Sequence, residues 1–227
     1  MNKKSSTEIV QSLVLKAKKA QSIFASFNQN QVDEVVTAVA WALCKPSNNN
    51  KISNLAVSQT GLGNPEDKIL KNRRKTLGLL RDLKNVKTVG IIKEDKEKKI
   101  IEIAKPVGVV AAVTPSTNPA ATPINNIINA LKTRNSIIVS PSPAGSKVFI
   151  DLLVLINIEL KKIGAPKDLI QTFDCEVTKE LTNELMKNVD LVIVTGSLNN
   201  VKEAAKSGTK AIGVGQGNVT SIIDETA

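Results

Sequence analysis

The sequence predicts an α/β fold: an open parallel sheet with helices on both faces, preceded by N-terminal helices and a projecting β-hairpin. Three observations carry this. Apolar residues recur at helical spacing through the first 83 residues. Two apolar runs then flank a charged stretch, as in a hairpin with a polar tip. From Pro106 onward, short apolar runs alternate with helical patterns joined by short loops, which is how a parallel sheet wrapped by helices reads.

The opening helix keeps Ile9, Leu13, Ala17 and Ala20 on one face, extended by Phe24 and Phe27. A second runs from about Gln31 to Leu43 with Val32, Val35, Val36 and Val39 in register. Pro46 and Ser47-Asn48-Asn49-Asn50 read as a break, before a short helix through Ile52, Leu55 and Ala56 that ends at Gly61. Asn64-Pro65-Glu66-Asp67 is a strong helix start, with a capping side chain, Pro at the first position and acids in the first turn. That helix is expected to reach Leu83 and to bury Ile69, Leu70, Leu77, Leu80 and Leu83.

Thr88–Ile92 and Lys99–Ile103 form the hairpin, either an edge ribbon or an oligomerisation arm. Val107–Val113 is a continuous apolar run, expected of a strand buried on both faces. A helix through Ile124, Ile127 and Leu131 follows, then a strand at Ser136–Val139 and a helix from about Ser146 to Lys162. Further strands are expected at Leu169–Phe173, Leu191–Val194, Ala211–Val214 and Val219–Ile223, with helices near Lys179–Met186 and Leu198–Lys206.

Composition excludes much chemistry. The 227 residues contain no His and no Tyr, which removes Ser-His-Asp triads, Cys-His pairs, His-ligated metals and tyrosine proton relays. The two cysteines, Cys44 and Cys175, cannot build a thiolate metal cage, and no metal site is expected. The formal charge is +10. Residues 1–105 carry 20 Lys+Arg against 10 Asp+Glu, and residues 106–227 carry 11 against 11, so all the excess lies in the first part. It is mostly Lys, with few aromatics for stacking, so a solvated basic face is preferred over a nucleic-acid or membrane surface. No apolar leader core follows the charged N-terminus and no window approaches a membrane span, so a cytoplasmic protein is expected.

Ligands of open parallel sheets bind beyond the carboxyl ends of the strands. Those ends carry Thr114-Pro115-Ser116-Thr117-Asn118-Pro119, Ser140-Pro141-Ser142-Pro143, Thr195-Gly196-Ser197 and Gly213-Val214-Gly215-Gln216-Gly217-Asn218. They are rich in hydroxyls, Gly and Pro and nearly free of charge. Such a rim suits a phosphorylated cofactor held by main chain and helix N-termini. The ordinary Gly-x-Gly-x-x-Gly fingerprint is missing after the first strand, and Gly213–Gly217 taken alone is a turn.

These peptides, with Pro106–Pro119, Ala130–Pro141, Gly164–Ile170 and Lys19–Phe27, resemble in order the aldehyde dehydrogenase superfamily, most closely its CoA-acylating branch. The resemblance implies a Rossmann-like fold and a reaction in which a cysteine thiolate attacks an aldehyde, hydride passes to NAD or NADP, and CoA takes the acyl group. It implies that Asn118, otherwise a turn-capping residue, donates to the developing oxyanion. It implies that Thr114, Pro115, Ser116 and Thr117 line the nicotinamide side, that Ser140, Pro141, Ser142 and Pro143 face the adenosine, and that Thr195, Gly196 and Ser197 face the pyrophosphate. Gly213, Val214 and Gly215 would close over the nicotinamide.

The peptide Gly213–Asn218 lacks the Glu with which hydrolytic relatives activate water, which fits CoA as acyl acceptor. Ser140–Pro143 lacks the Lys and Glu that many relatives place on the adenosine ribose, leaving NAD against NADP open. The family's nucleophilic Cys lies in a catalytic domain after the segment matching Gly213–Asn218, so that domain is expected to be absent from this chain. Residues 1–227 then form an NAD(P)-binding domain: helices over 1–86, a hairpin over 87–105 that the family uses as an oligomerisation arm, and a β-α-β core over 106–227. A small aldehyde, CoA and a homo-oligomeric partner are the implied partners. The competing reading is a non-catalytic binding or scaffold subunit that assembles with a separate catalytic chain.

Overall fold

The computed structural model describes residues 5–215, 217 and 219–226. The chain opens with four helices, α1 (Ser6–Phe24), α2 (Gln29–Cys44), α3 (Pro46–Thr60) and α4 (Pro65–Leu83). Each start is legible locally. Ser5 and Glu8 form a capping box at α1, Asn28 and Gln31 another at α2, and Asn64 caps α4 ahead of Pro65. Pro46 opens a helix rather than breaking one: its missing N–H would have no partner in the first turn anyway, so Ser47–Asn50 are helical. Asn49 is buried and donates to the Ile69 carbonyl, which joins α3 to α4.

The face that α4 buries also differs from expectation. Lys68, Asn72 and Thr76 point inward at a spacing of four, while Leu70 and Leu77 are exposed. The α3–α4 contact is a polar network in which Asn72 donates to Asn49 (3.0 Å) and Ser53 (3.1 Å), so hydrogen bonding rather than apolarity chose the face.

Strands β1 (Gly90–Asp95) and β2 (Ile100–Ala104) form an antiparallel hairpin whose Ile91, Ile92, Ile100, Ile101 and Ile103 are all exposed. The remaining elements are β3 (Val109–Thr114), α5 (Ala121–Lys132), β4 (Ser136–Pro141), α6 (Pro143–Lys162), β5 (Ile170–Gln171), α7 (Lys179–Lys187), β6 (Leu191–Thr195), α8 (Leu198–Lys206) and β7 (Ala211–Val214). The five strands β3–β7 form one sheet in the order β5-β4-β3-β6-β7, with every pairing parallel.

Strand β3 sits at the centre and its alternation divides the core. Val110 and Ala112 face α2, α3, α5 and α6, whereas Val109, Ala111 and Val113 face α1 and α7. The N-terminal helices thus cover both faces of the sheet. β3 begins at Val109 and not Val107, because Gly108 at φ +126° turns the chain there. Asn135 accepts from the amides of Val107 (2.7 Å) and Gly108 (3.0 Å), while Arg134 donates to the carbonyls of Ala25 (2.7 Å) and Ala104 (3.0 Å). Two adjacent side chains therefore tie the end of α1, the hairpin base and the start of β3 together.

Two expected strands differ. Leu169–Phe173 contributes only Ile170 and Gln171 to the sheet, the length that β4 pairs with. Val219–Ile223 forms no strand, and its Val219, Ile222 and Ile223 stand 83–90% exposed. Among the described residues no helix is long and apolar enough to cross a membrane.

Candidate functional site

The chain runs β3, β4, β5 in one direction across the sheet and then crosses back to place β6 on the other side of β3. That reversal leaves a crevice at the carboxyl ends of β3 and β6. A cleft of about 530 Å³ lies there. Its rim brings together Thr114, Pro115 and Ser116 at the end of β3, Ser140–Pro143 at the end of β4, and Gly196 and Ser197 after β6.

Local structure positions each of these. The Ser142 amide donates to the Thr114 carbonyl (3.0 Å), which locks the second loop onto the first. The Ser142 hydroxyl accepts from the Gly145 amide (3.2 Å) and caps α6, with Pro143 at the first helical position. Gly145 lets that turn pack closely: a Cβ there would stand 3.0 Å from Ser142 Oγ and 3.1 Å from the Pro119 side chain, so both would have to give by a few tenths of an ångström. Ser197 caps α8 by accepting from the Asn200 amide (3.3 Å). Two capped helices thus direct their amino-terminal ends to one cleft, where backbone N–H groups and helix dipoles favour an anion. The Thr114 hydroxyl is buried without a hydrogen-bond partner, a polar atom left for a ligand to satisfy.

The far wall was not expected from sequence. Val177 and the capping Thr178 ahead of α7, Lys179, Thr182, Asn183 and Met186 from α7, and Asn199, Asn200 and Glu203 from α8, complete the cleft. The hydroxyls of Ser140 and Thr182 lie 2.9 Å apart and join the β4 loop to α7. The available signal was the i, i+4 spacing of Thr178/Thr182 and Asn199/Glu203 on helices leaving the rim peptides. Among the described residues, Lys179 and Glu203 are the only charged ones in the lining.

The other expected residues lie outside that lining. Thr195 ends β6, and the Gly196 amide donates to the Val214 carbonyl (3.2 Å). Gly213 and Gly215 pass beneath α8, where a Cβ would meet Val201 at 2.7 Å and Leu198 at 3.0 Å, so the glycines allow strand and helix to close on each other. Val214 is exposed beside them. Gln216 and Asn218 of the same peptide lie outside the described residues. Thr117 and Asn118 are not in that lining either, and the Thr117 carbonyl is met by Lys68 of α4. The Asn118 carbonyl accepts from the Thr122 amide (3.3 Å) at the start of α5, and its Oδ1 is buried without a partner.

Neither cysteine lines the cleft. Cys44 ends α2, half-buried, and burial pushes its thiol above the ordinary value, against the smaller pulls of the Thr76 hydroxyl and the Arg73 charge. Cys175 is exposed between Asp174 and Glu176.

Comparison with known proteins matches this architecture along its length. The aldehyde dehydrogenase family profile matches residues 2–225. A sulfoacetaldehyde dehydrogenase (acylating) of Cupriavidus necator is 54% identical over 220 residues, covering 97% of this chain and 45% of that protein. The crystal structure of an acetylating aldehyde dehydrogenase from Geobacillus thermoglucosidasius superposes with a TM-score of 0.89 at 40% identity, over 94% of this chain and 47% of the other. An engineered glycolyl-CoA reductase with bound NADP+ superposes with a TM-score of 0.79 at 30% identity, over 92% and 47%. The chain spans about half the length of each of these relatives. With the family profile matched from residue 2 to residue 225, the chain belongs to the aldehyde dehydrogenase family.

Proposed function

We propose that the chain is the NAD(P)-binding part of a CoA-acylating aldehyde dehydrogenase, which converts a small aldehyde and CoA reversibly to acyl-CoA with reduction of NAD or NADP. The observation that carries this is the convergence of the Thr114, Ser140–Pro143 and Gly196–Ser197 loops, with two capped helix N-termini, on one cleft. The donor set fits a dinucleotide: backbone amides and hydroxyls for phosphate and ribose, and small side chains that admit a flat ring. Ser140, Pro141, Ser142 and Pro143 would hold the adenosine side, Thr195, Gly196 and Ser197 the pyrophosphate, and Thr114, Pro115, Ser116 and Thr117 the nicotinamide. Gly213, Val214 and Gly215 would cover the nicotinamide from the β7 side.

When bound, the nicotinamide supplies a hydride acceptor. The chain's own task is to hold that ring beside Asn118, whose carboxamide would donate to the aldehyde oxygen as negative charge builds on it. The sequence from Gly213 to Asn218 offers no carboxylate to activate water, which supports CoA as the acyl acceptor. The close relative named sulfoacetaldehyde dehydrogenase (acylating) supports the same choice. The hairpin β1–β2, with five isoleucines exposed, would serve as an arm between copies in a homo-oligomer.

Isothermal titration of the purified chain with NAD+ and with NADP+ tests the reading. Saturable one-to-one binding of at least one is expected, without aldehyde oxidation. No heat with either nucleotide would sink it. That neither cysteine lines the cleft also supports a second reading, a non-catalytic binding subunit assembling with a separate catalytic chain. Co-purification of a cysteine-bearing partner distinguishes the two.

A further inference from the structure

Lysine is almost never buried unless an opposite charge accompanies it. Lys68, in the first turn of α4, is 5% exposed, and no carboxylate lies within ion-pair distance of it among the described residues. Its acidic neighbour Asp67 is engaged by the Asn64 side chain (2.7 Å). The ammonium reaches instead across to the turn before α5, where it donates to the Thr117 carbonyl at 3.5 Å. Gly63, at φ +71°, brings the preceding loop over the lysine stem, with Cε 3.8 Å from where a Cβ would stand. Burial lowers the Lys68 pKa and the neighbouring Lys71 lowers it further, in keeping with a cation kept in place without a counter-ion.

The residue after Thr117 is Asn118. Its Oδ1 is buried and makes no hydrogen bond, so no hydrogen bond of that atom fixes the direction of the carboxamide. The backbone of the turn has to set it. That turn is held on one side by the bond from the Thr122 amide to the Asn118 carbonyl and on the other by Lys68. We infer that Lys68 is a positioning residue: it fixes the Thr117–Asn118 turn through the Thr117 carbonyl and thereby aims the Asn118 carboxamide. The consequence for catalysis rests on the oxyanion role proposed for Asn118, but the tether itself does not.

The test is amide hydrogen exchange by NMR on the whole chain, comparing wild type, Lys68→Met and Lys68→Arg. Lys68→Met is expected to speed exchange of the Thr122 amide, which closes the turn on the Asn118 carbonyl, roughly tenfold, the loss of one charge-assisted hydrogen bond, while exchange over Asn72–Leu80 of α4 is unchanged. Lys68→Arg, which keeps the charge and a donor, is expected to restore protection. Unchanged exchange of the Thr122 amide in Lys68→Met would overturn the inference, as would an equal acceleration along all of α4, which marks a general packing role. Should Lys68→Met not fold, the wild-type ammonium decides the matter: its protons are expected to exchange slowly and to correlate with the Thr117 carbonyl, and their absence overturns the tether. None of these readouts needs a nucleotide. A missing tether with intact NAD(P) binding leaves the functional reading standing, and the reverse outcome sinks that reading alone.

Discussion

The carboxylate of Asp190 occupies the space that a side chain on Gly108 would need. A Cβ there would stand 2.2 Å from Asp190 Oδ2, and the same oxygen accepts the Val109 amide at 2.7 Å. Asp190 precedes β6 and Gly108 precedes β3, so the pair seals the lower end of the central strand pairing. Gly108→Ala is therefore expected to cost about 2–4 kcal/mol, from both the clash and the positive φ. Urea denaturation followed by circular dichroism measures it, and a loss within error of zero would show that Asp190 moves aside freely.

Asp33 on α2 meets Lys132 at the end of α5, and the lysine side chain is 4% exposed. Removing the acid strands a buried ammonium. Asp33→Ala is expected to destabilise by about 1–3 kcal/mol, reduced from the fully buried case because Asp33 itself is partly exposed. Adding Lys132→Met should recover part of the loss, since the stranded charge is then gone. A double variant less stable than Asp33→Ala alone would contradict this account.

Cys44 ionises less readily in the fold than in the unfolded chain, because burial raises its pKa above 9.0. The unfolded chain releases the proton first, so above that value the native state holds more protons and unfolding becomes easier with each step in pH. Wild-type stability is expected to be unaffected by this thiol below about pH 8 and to fall above about pH 9, relative to Cys44→Ala. Equilibrium denaturation across that range reads the difference. A flat difference would mean that Cys44 is as open to water as Cys175. The exposed Cys175 should also react first with a thiol-specific disulfide reagent.

Asn118→Ala is expected to lower kcat for CoA-dependent aldehyde oxidation roughly 10²–10³-fold in an enzyme carrying this chain. Nucleotide affinity should not change, since the role proposed for the Asn118 carboxamide is toward the aldehyde oxygen and not toward the nucleotide. Steady-state kinetics and titration separate the two, and near-normal turnover would return Asn118 to a turn-forming role.

Much of this was legible in the sequence because local chemistry decided it. Asn64-Pro65 starts a helix by capping alone, and the apolar run from Val109 to Val113 is apolar because both faces of β3 are covered. The rim hydroxyls Thr114, Ser140 and Ser142 follow from where strands end. Legibility failed where a partner element decides the outcome. Leu70 and Leu77 look like a helix core, yet the α3–α4 amide network turned them outward. Ile170–Gln171 is short because its length depends on β4. Thr182 and Glu203 look like solvated helix surface until the sheet brings α7 and α8 against the cleft. Lys68 reads as one more member of a basic face, and only its burial sets it apart.

The central position of β3 also dictates the order in which the chain can assemble. Val109 pairs with Ser136, 27 residues later, whereas Val110 pairs with Leu191, 81 residues later. Closing the longer loop costs about 1 kcal/mol more in chain entropy, and it brings in α8 and β7 only once β6 has docked. On a ribosome the β3–α5–β4 unit can form while β6 is still unmade, leaving one edge of β3 unpaired during synthesis. The cleft opens onto that edge, so a nucleotide-competent site is among the last features to arise. A nascent chain shortened before Leu191 would present the strand most in need of a neighbour to whatever other chains are nearby.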